Sequence, residues 1–457
     1  MESDNMKSYI KIMFVLFIEG FVSLSFQMLY IRQLTPFVGN SVEVVSWIVG
    51  IFLIALAIGY KHGGNIDVKK KDLTGKLISN LFFAIIIAGF GLSFLFLELY
   101  FSSGILSSYL LMILYCIIII FPTTYLLGQT LPLVTNIMQG NSVSEISGNV
   151  LFLSTVGSFL GALITTNILL KFFGVSATIF FNLSLLSFLI LYLEFSRKDR
   201  SLIVKSITVS IVLIIAYGIN IPIERENFNK TNQYANYKTI ENGIMKIFTS
   251  NKSYSSILIG ENKFGYIKFL EKLIFDDFKI RDQDILVIGA GGFLFSKNME
   301  YTGNRFTYVD IDPEIKSIAE QYFLNSSING EFVALDGRNF INQAKEQYGL
   351  IFLDAYSSQL SMPEHLLTKE FFKSVSDRLK DDGILVVNAI YKTDFKDDFS
   401  LRLNKTIKSV FGNCYVYPIS PADSVTNVEY VCFKVKDVKE YTDDLNGSNS
   451  DFYKLLK

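Results

Sequence analysis

Seven apolar runs of bilayer-crossing length fill the first half of this chain. They are Tyr9–Ile31, Val42–Tyr60, Leu77–Phe101, Ile105–Leu127, Asn149–Leu170, Val175–Phe195 and Ile203–Ile221. A helix needs about 20 apolar residues to cross the hydrocarbon core. Backbone without water must satisfy its own hydrogen bonds, so runs of this kind fold as helices. A mean hydropathy of +0.36 with only 19% charged residues fits a multi-span bundle joined to one ordinary domain within 457 residues. We expect residues 1–221 to form this transmembrane domain. The first run is too long, and lacks the small-residue site, for a cleaved signal peptide.

Ionisable and amide groups interrupt the runs or mark their ends: Glu19, Gln27, Arg32, Glu43, Glu98 and Gln129. Glu43 and Glu98 read as interfacial, whereas Glu19 is mid-span and should face a partner or a cavity. Gly157 to Ala162, with Gly157 and Gly161 four apart, reads as a close helix-packing face. Pro122 and Pro132 flank TTYLLGQTLP, expected to be kinked or re-entrant. The basic loops Lys61–Lys76 and Arg197–Lys205 join Lys7 and Lys11 on one side, which the positive-inside rule makes cytoplasmic. Seven crossings then leave the C-terminal domain outside, in conflict with the nucleoside-metabolite reading of that domain given below. An eighth crossing at Pro122–Met138, or one run that does not cross, removes the conflict. We take a multi-pass cell-membrane protein with a cytoplasmic C-terminal domain as the expectation.

After Asn220 the runs shorten. Glu224–Lys238 reads as a polar linker and Lys246–Phe275 as a small β-hairpin subdomain, so 222–283 joins the halves. From Asp284 the runs ILVIG, FTYVD, EFVAL, LIFLD and ILVVNA alternate with helical stretches, the pattern of a parallel sheet. CYVYPI and EYVCFKV follow without an intervening helix and suggest an antiparallel edge hairpin. Residues 284–457 therefore read as a class I methyltransferase-like α/β domain. Ligands in such sheets bind beyond the strands' carboxyl ends. Those ends carry Gly289, Gly291 and Gly292, then Asp310 and Asp312, Asp336 and Gly337, and Asp354. The first unit should run strand, Gly-rich turn, short helix, strand, with Asp310 accepting ribose hydroxyls. GAGGF suits an S-adenosyl compound better than a dinucleotide pyrophosphate. Asp336 is assigned to the adenine amino group, and Asp312, before Pro313, to the cofactor edge or a helix cap. Two histidines and three cysteines without ligand spacing give no metal site and no disulfide framework. A net charge of −1 gives no nucleic-acid signal.

VIGAGG, YVDIDPEI, ALDGRNFI, LIFLDAYSSQLSMPEHLLTKEFF and LKDDGILVVN resemble the spermidine synthase (polyamine aminopropyltransferase) family. GFVSLSFQMLYIRQLTPFVGNS, LGQTLPL and STVGSFLGALITTNILLKFFG resemble bacterial proteins that fuse a multi-span region to such a domain. The resemblance implies transfer of an aminopropyl or related group from decarboxylated S-adenosylmethionine, or S-adenosylmethionine itself, to an amine. It implies Asp354 as acid–base or amine-orienting residue, with Tyr356 and Gln359 shaping the acceptor. Gly292 stands where the family is expected to place one acid, Gln359 near the place of a second, and ILIGENKF replaces the usual upstream pattern. Putrescine-like amines and lipids are both candidate acceptors, and a homodimer is compatible. Two other readings stay open: an S-adenosylmethionine-dependent methyltransferase, and a transporter or sensor that binds a polyamine or adenosyl ligand without chemistry.

Overall fold

The computed structural model describes residues 2–66, 72–104, 106–137, 143–197, 202–356, 362–412, 414–420 and 425–434. The chain divides into two compact units. One is Met1–Phe264 with Glu314–Ser327 and Tyr356–Pro363; the other is Gly265–Pro313 with Ile328–Ala355 and Glu364–Lys457.

In the first unit, seven helices among the described residues are long and apolar enough to cross a membrane. They are Met13–Val38, Val42–Gly64, Leu73–Gly91, Ser108–Ile137, Ile146–Phe173, Val175–Phe195 and Ile203–Asn227. Their outward faces carry Leu53, Phe83, Ile118, Phe152, Phe159 and Ile214, all exposed. The third run stops earlier than its apolar length implies. Ser93 accepts the Phe96 N–H at 3.2 Å and caps a separate helix, Phe94–Phe101. The TTYLLGQTLP segment is helical, with a π turn at Cys116–Ile120 just before Pro122 and a break at Gln129. There the Phe121 N–H bonds the Cys116 carbonyl, one residue further back than in an α-helix, and proline and π turns are both common sites of helix kinks. Thr130–Ile137 continues this passage and is no separate long helix.

Helix Glu2–Val38 packs closely on Val143–Ile164. A Cβ on Gly157 or Gly161 would overlap the Phe17 or Phe21 carbonyl, and one on Gly20 the Ser154 carbonyl. Ser158 donates across the contact to the Gly20 carbonyl at 3.2 Å. Small residues here allow backbone-to-backbone approach. Glu19 is only 4% exposed within this bundle. Arg32, 5% exposed, does not reach outward: it donates to the Asn232 carbonyl and Asn236 Oδ1, both at 2.7 Å.

The segment expected to be a linker is largely structured. Helix Ile221–Asn227 leads into an antiparallel meander of β1 (Lys230–Thr231), β2 (Asn236–Asn242), β3 (Met245–Ser250), β4 (Ser253–Ile259) and β5 (Asn262–Lys263). Its three two-residue turns open at Gly243, Asn251 and Gly260, each at positive φ, as tight hairpins require. Phe248 packs on Phe323 at 5.4 Å. GYIKFL, expected among the hairpin runs, contributes instead to helix Tyr266–Glu271 in the second unit.

The second unit is built on one seven-stranded sheet. Its strands are β6 (Asp284–Ile288), β7 (Arg305–Asp310), β8 (Glu331–Ala334), β9 (Tyr348–Leu353), β10 (Leu379–Lys392), β11 (Cys414–Pro418) and β12 (Val425–Phe433). The order is β11-β12-β10-β9-β6-β7-β8, parallel from β10 to β8, with β11 and β12 antiparallel at the other end. β9 is buried throughout, as a strand covered on both faces must be. β6 has β7 on one side and β9 on the other. The connections diverge there, at the topological switch point where open sheets bind ligands.

Two expectations fail in this unit. The short helix after the Gly-rich turn does not form: residues 290–299 are turns and irregular backbone, followed by a single 3-10 turn, Glu300–Thr302. Phe293 and Asn298 take positive φ, which breaks any helix, while Phe293, Phe295 and Met299 are buried. The cysteines do form a bridge. Cys414 and Cys432 are directly paired across β11 and β12, Cα to Cα 4.2 Å, and are disulfide-bonded. Their 18-residue separation hid a contact that the hairpin register creates.

Candidate functional site

β6 ends in Gly289, whose φ of +93° disfavours any side chain. A Cβ there would also overlap the Asp354 carbonyl. The Gly289 N–H bonds the Val309 carbonyl and the Asp354 N–H bonds the Ile288 carbonyl, both at 2.8 Å. Glycine therefore lets the turn lie directly against the end of β9. Gly291 also takes positive φ, +50°, beside Gly292. The turn-rich segment that follows is fastened by polar contacts: Tyr308 Oη and Asn329 Nδ2 both bond Ser296, at 2.9 Å each. With no helix N-terminus here, the turn lacks the usual pyrophosphate seat.

Asp310 ends β7 beside this turn. Its Oδ2 accepts the Ala290 N–H and its Oδ1 accepts the Asp312 N–H, each at 3.0 Å. Each oxygen keeps a lone pair for a further donor. Burial pushes the Asp310 carboxyl up to about 6, against the lowering effect of these N–H bonds. Asp312 is buried at 1% exposure, and Glu314 stands at the N-cap of the next helix.

Asp336 is the N-cap of helix Gly337–Gln343, accepting the Asn339 N–H at 3.0 Å. Its other oxygen meets His365 Nε2 at 2.8 Å. Gly337 is needed for close packing, since a Cβ would come within 2.5 Å of Ile288 Cγ2.

Asp354 follows β9 and is half-buried. Tyr266 Oη donates to its Oδ2 and Asn388 Nδ2 to its Oδ1, both at 2.7 Å. Burial raises its carboxyl to about 7, although both hydrogen bonds favour the ionised form. Asn388, 1% exposed, accepts in turn from Asn427 Nδ2 at 2.8 Å. Tyr356 is grouped with the first unit, and Gln359 lies outside the described residues.

One turn and two strand ends thus gather Gly289, Asp310 and Asp354 around β6, with Asp336 holding the next helix. Sequence reasoning missed Tyr266, Asn388, Asn427 and Glu429. One signal was available: Asn388 and Glu429 sit in strand-like apolar runs, where polar groups are disfavoured unless they have work to do.

Residues 274–439 match the family model described as the spermine/spermidine synthase domain. A polyamine aminopropyltransferase of Vibrio vulnificus is 33% identical over 172 residues, 36% of this chain and 54% of that protein. The chain therefore spans about half the length of that relative. Polyamine aminopropyltransferase 2 of Aquifex aeolicus is 22% identical over 475 aligned positions, covering 97% of this chain and 93% of that one. A crystal structure of a probable spermidine synthase from Corynebacterium glutamicum aligns over 49% of this chain and 84% of its own. It does so at 15% identity and a TM-score of 0.38. The family match places a domain of the spermidine synthase type in the C-terminal half of the chain.

Proposed function

We propose that this chain is a membrane-embedded aminopropyltransferase that moves an aminopropyl group from decarboxylated S-adenosylmethionine to a small amine. The observation that carries the reading is Asp354, held between Tyr266 and Asn388 with its carboxyl raised to about 7. A base poised near neutrality at the carboxyl edge of the sheet suits removal of a proton from an amine.

The donor side fits the residues present. Gly289 lets the turn backbone approach a nucleoside, and Asp310 has lone pairs for two ribose hydroxyls. The bound sulfonium supplies an alkyl carbon activated for displacement. The amine nitrogen forms its bond to that carbon as the carbon–sulfur bond breaks. The electron pair stays on sulfur, which becomes the thioether of methylthioadenosine. The proton shed by nitrogen passes to Asp354 and then to water. Asp354 also holds negative charge beside a cationic transition state, where fixed charge is worth most.

The apolar faces exposed along seven long helices support placing the N-terminal half in lipid, since patches of this size are a liability in water. The donor is a cytoplasmic metabolite, so the C-terminal domain is assigned to that side.

Product analysis of the full chain in detergent tests the reading. With decarboxylated S-adenosylmethionine and putrescine it should release methylthioadenosine. Release of S-adenosylhomocysteine from S-adenosylmethionine would instead make it a methyltransferase. Binding without either product would leave a transporter or sensor.

A further inference from the structure

Glu429 lies in the middle of β12 and is 0% exposed. Among the described residues, neither Oε1 nor Oε2 has a hydrogen-bond partner. Buried carboxyl groups are normally paired, and an unpaired one costs stability. The strand register shows where this one is aimed. Glu429 is directly opposite Asn388 on β10 and Tyr417 on β11, and opposed residues share a face of the sheet. Asn427, two residues away on the same face, bonds Asn388, whose amide holds Asp354. Tyr417 packs on Phe269 at 5.4 Å, and Phe269 lies on the helix that sends Tyr266 to Asp354. Asp354 and Glu429 thus belong to one cluster, walled by Tyr266, Phe269 and Tyr417. Tyr266 and Asn388 donate to Asp354 and Asn427 donates to Asn388, while neither Glu429 oxygen accepts from any of them.

We infer that Glu429 is the inner carboxylate of a two-carboxylate acceptor seat, with Asp354 at its open end, that selects a compact alkylammonium. The inference rests on the aminopropyl-acceptor reading of Asp354 and names the second acid that its loop lacks. An ammonium brings three donors, which suit a carboxylate with no other partner. Aromatic walls add cation–π attraction. Phosphate-bearing lipid headgroups and amino acids carrying a free carboxylate would bring negative charge to carboxyl groups that only a cation helps to ionise, which opposes their entry. Burial, and after it the nearby Asp354, raise the Glu429 carboxyl well above the usual range, so the empty seat need not hold two charges.

Calorimetry on the full chain in detergent, saturated with methylthioadenosine, reads acceptor binding without turnover. Glu429→Gln keeps shape and removes charge. It should weaken putrescine binding at least tenfold, raise KM for putrescine similarly, and leave methylthioadenosine affinity within twofold. Glu429→Asp restores the charge on a shorter stem and should fall between the two. Equal putrescine affinity in all three proteins, with methylthioadenosine binding intact, overturns the inference. So does weaker putrescine binding by Glu429→Asp than by Glu429→Gln. If the wild-type protein releases no methylthioadenosine with any amine, the transfer reading fails. The binding comparison still decides the role of Glu429.

Discussion

Asp354→Asn separates charge from hydrogen bonding. The new amide can accept from Asn388 through its oxygen and donate to Tyr266 Oη through its nitrogen, so the contacts to both neighbours survive. What disappears is the base and the negative charge. Loss of a positioned base or a charge that stabilises the transition state costs about 10²–10³-fold in kcat, or ~3–4 kcal/mol. Stability should move the other way. Burial raises the folded-state carboxyl from its ordinary 3.8 to about 7, so the folded protein holds this proton more tightly than the unfolded chain. Stability from this group is therefore full below about pH 4 and falls as pH rises to about 7. The shift of about three units corresponds to at most ~4 kcal/mol, which solvent screening of a half-buried group reduces to about 1–2 kcal/mol. The neutral variant should thus melt higher at pH 8, by ~2–4 °C per kcal/mol, and show no gain at pH 4. Methylthioadenosine release and thermal unfolding at the two pH values check both arms. A variant that keeps more than about a tenth of wild-type kcat, or melts lower at pH 8, refutes the assignment.

Asp310→Ala should weaken methylthioadenosine binding by about 1.5–3 kcal/mol for each ribose bond lost. Because the Asp310 carboxyl titrates near 6, wild-type affinity should fall as pH drops through 6; a flat calorimetric profile from pH 5 to 7.5 contradicts the ribose role. Gly289→Ala places a methyl against the Asp354 carbonyl at a φ unsuited to alanine, and should cost at least ~1–3 kcal/mol of stability and lower adenosyl affinity, read by melting and calorimetry. If the C-terminal domain is cytoplasmic, Cys414 and Cys432 should be free thiols in intact cells and bridge only after extraction, since cytosolic disulfides are kept reduced. A bond trapped by alkylation before lysis would put the domain on the oxidising side, which seven crossings from a cytoplasmic N-terminus also give.

The long apolar runs and the alternating strands were legible because each follows from local chemistry. A segment of about 20 apolar residues has few fates, and Gly or Asp at strand ends marks one edge of a parallel sheet. The missing helix after GAGGF was not legible, because buried Phe293, Phe295 and Met299 override the helical preference of their segment. Nor were the structured linker strands, whose residues Lys230–Thr231 and Asn236–Asn242 pair only with one another and with β3. The cluster around Asp354 draws Tyr266, Asn388, Asn427 and Glu429 from one helix and two strands over more than 160 positions. Sequence alone determined that this chain pairs a helical, lipid-compatible half with a switch-point α/β domain. Which side chains surround Asp354, and that Cys414 faces Cys432, depended on strand register. Register is set by contacts between segments remote in sequence, which no local pattern encodes.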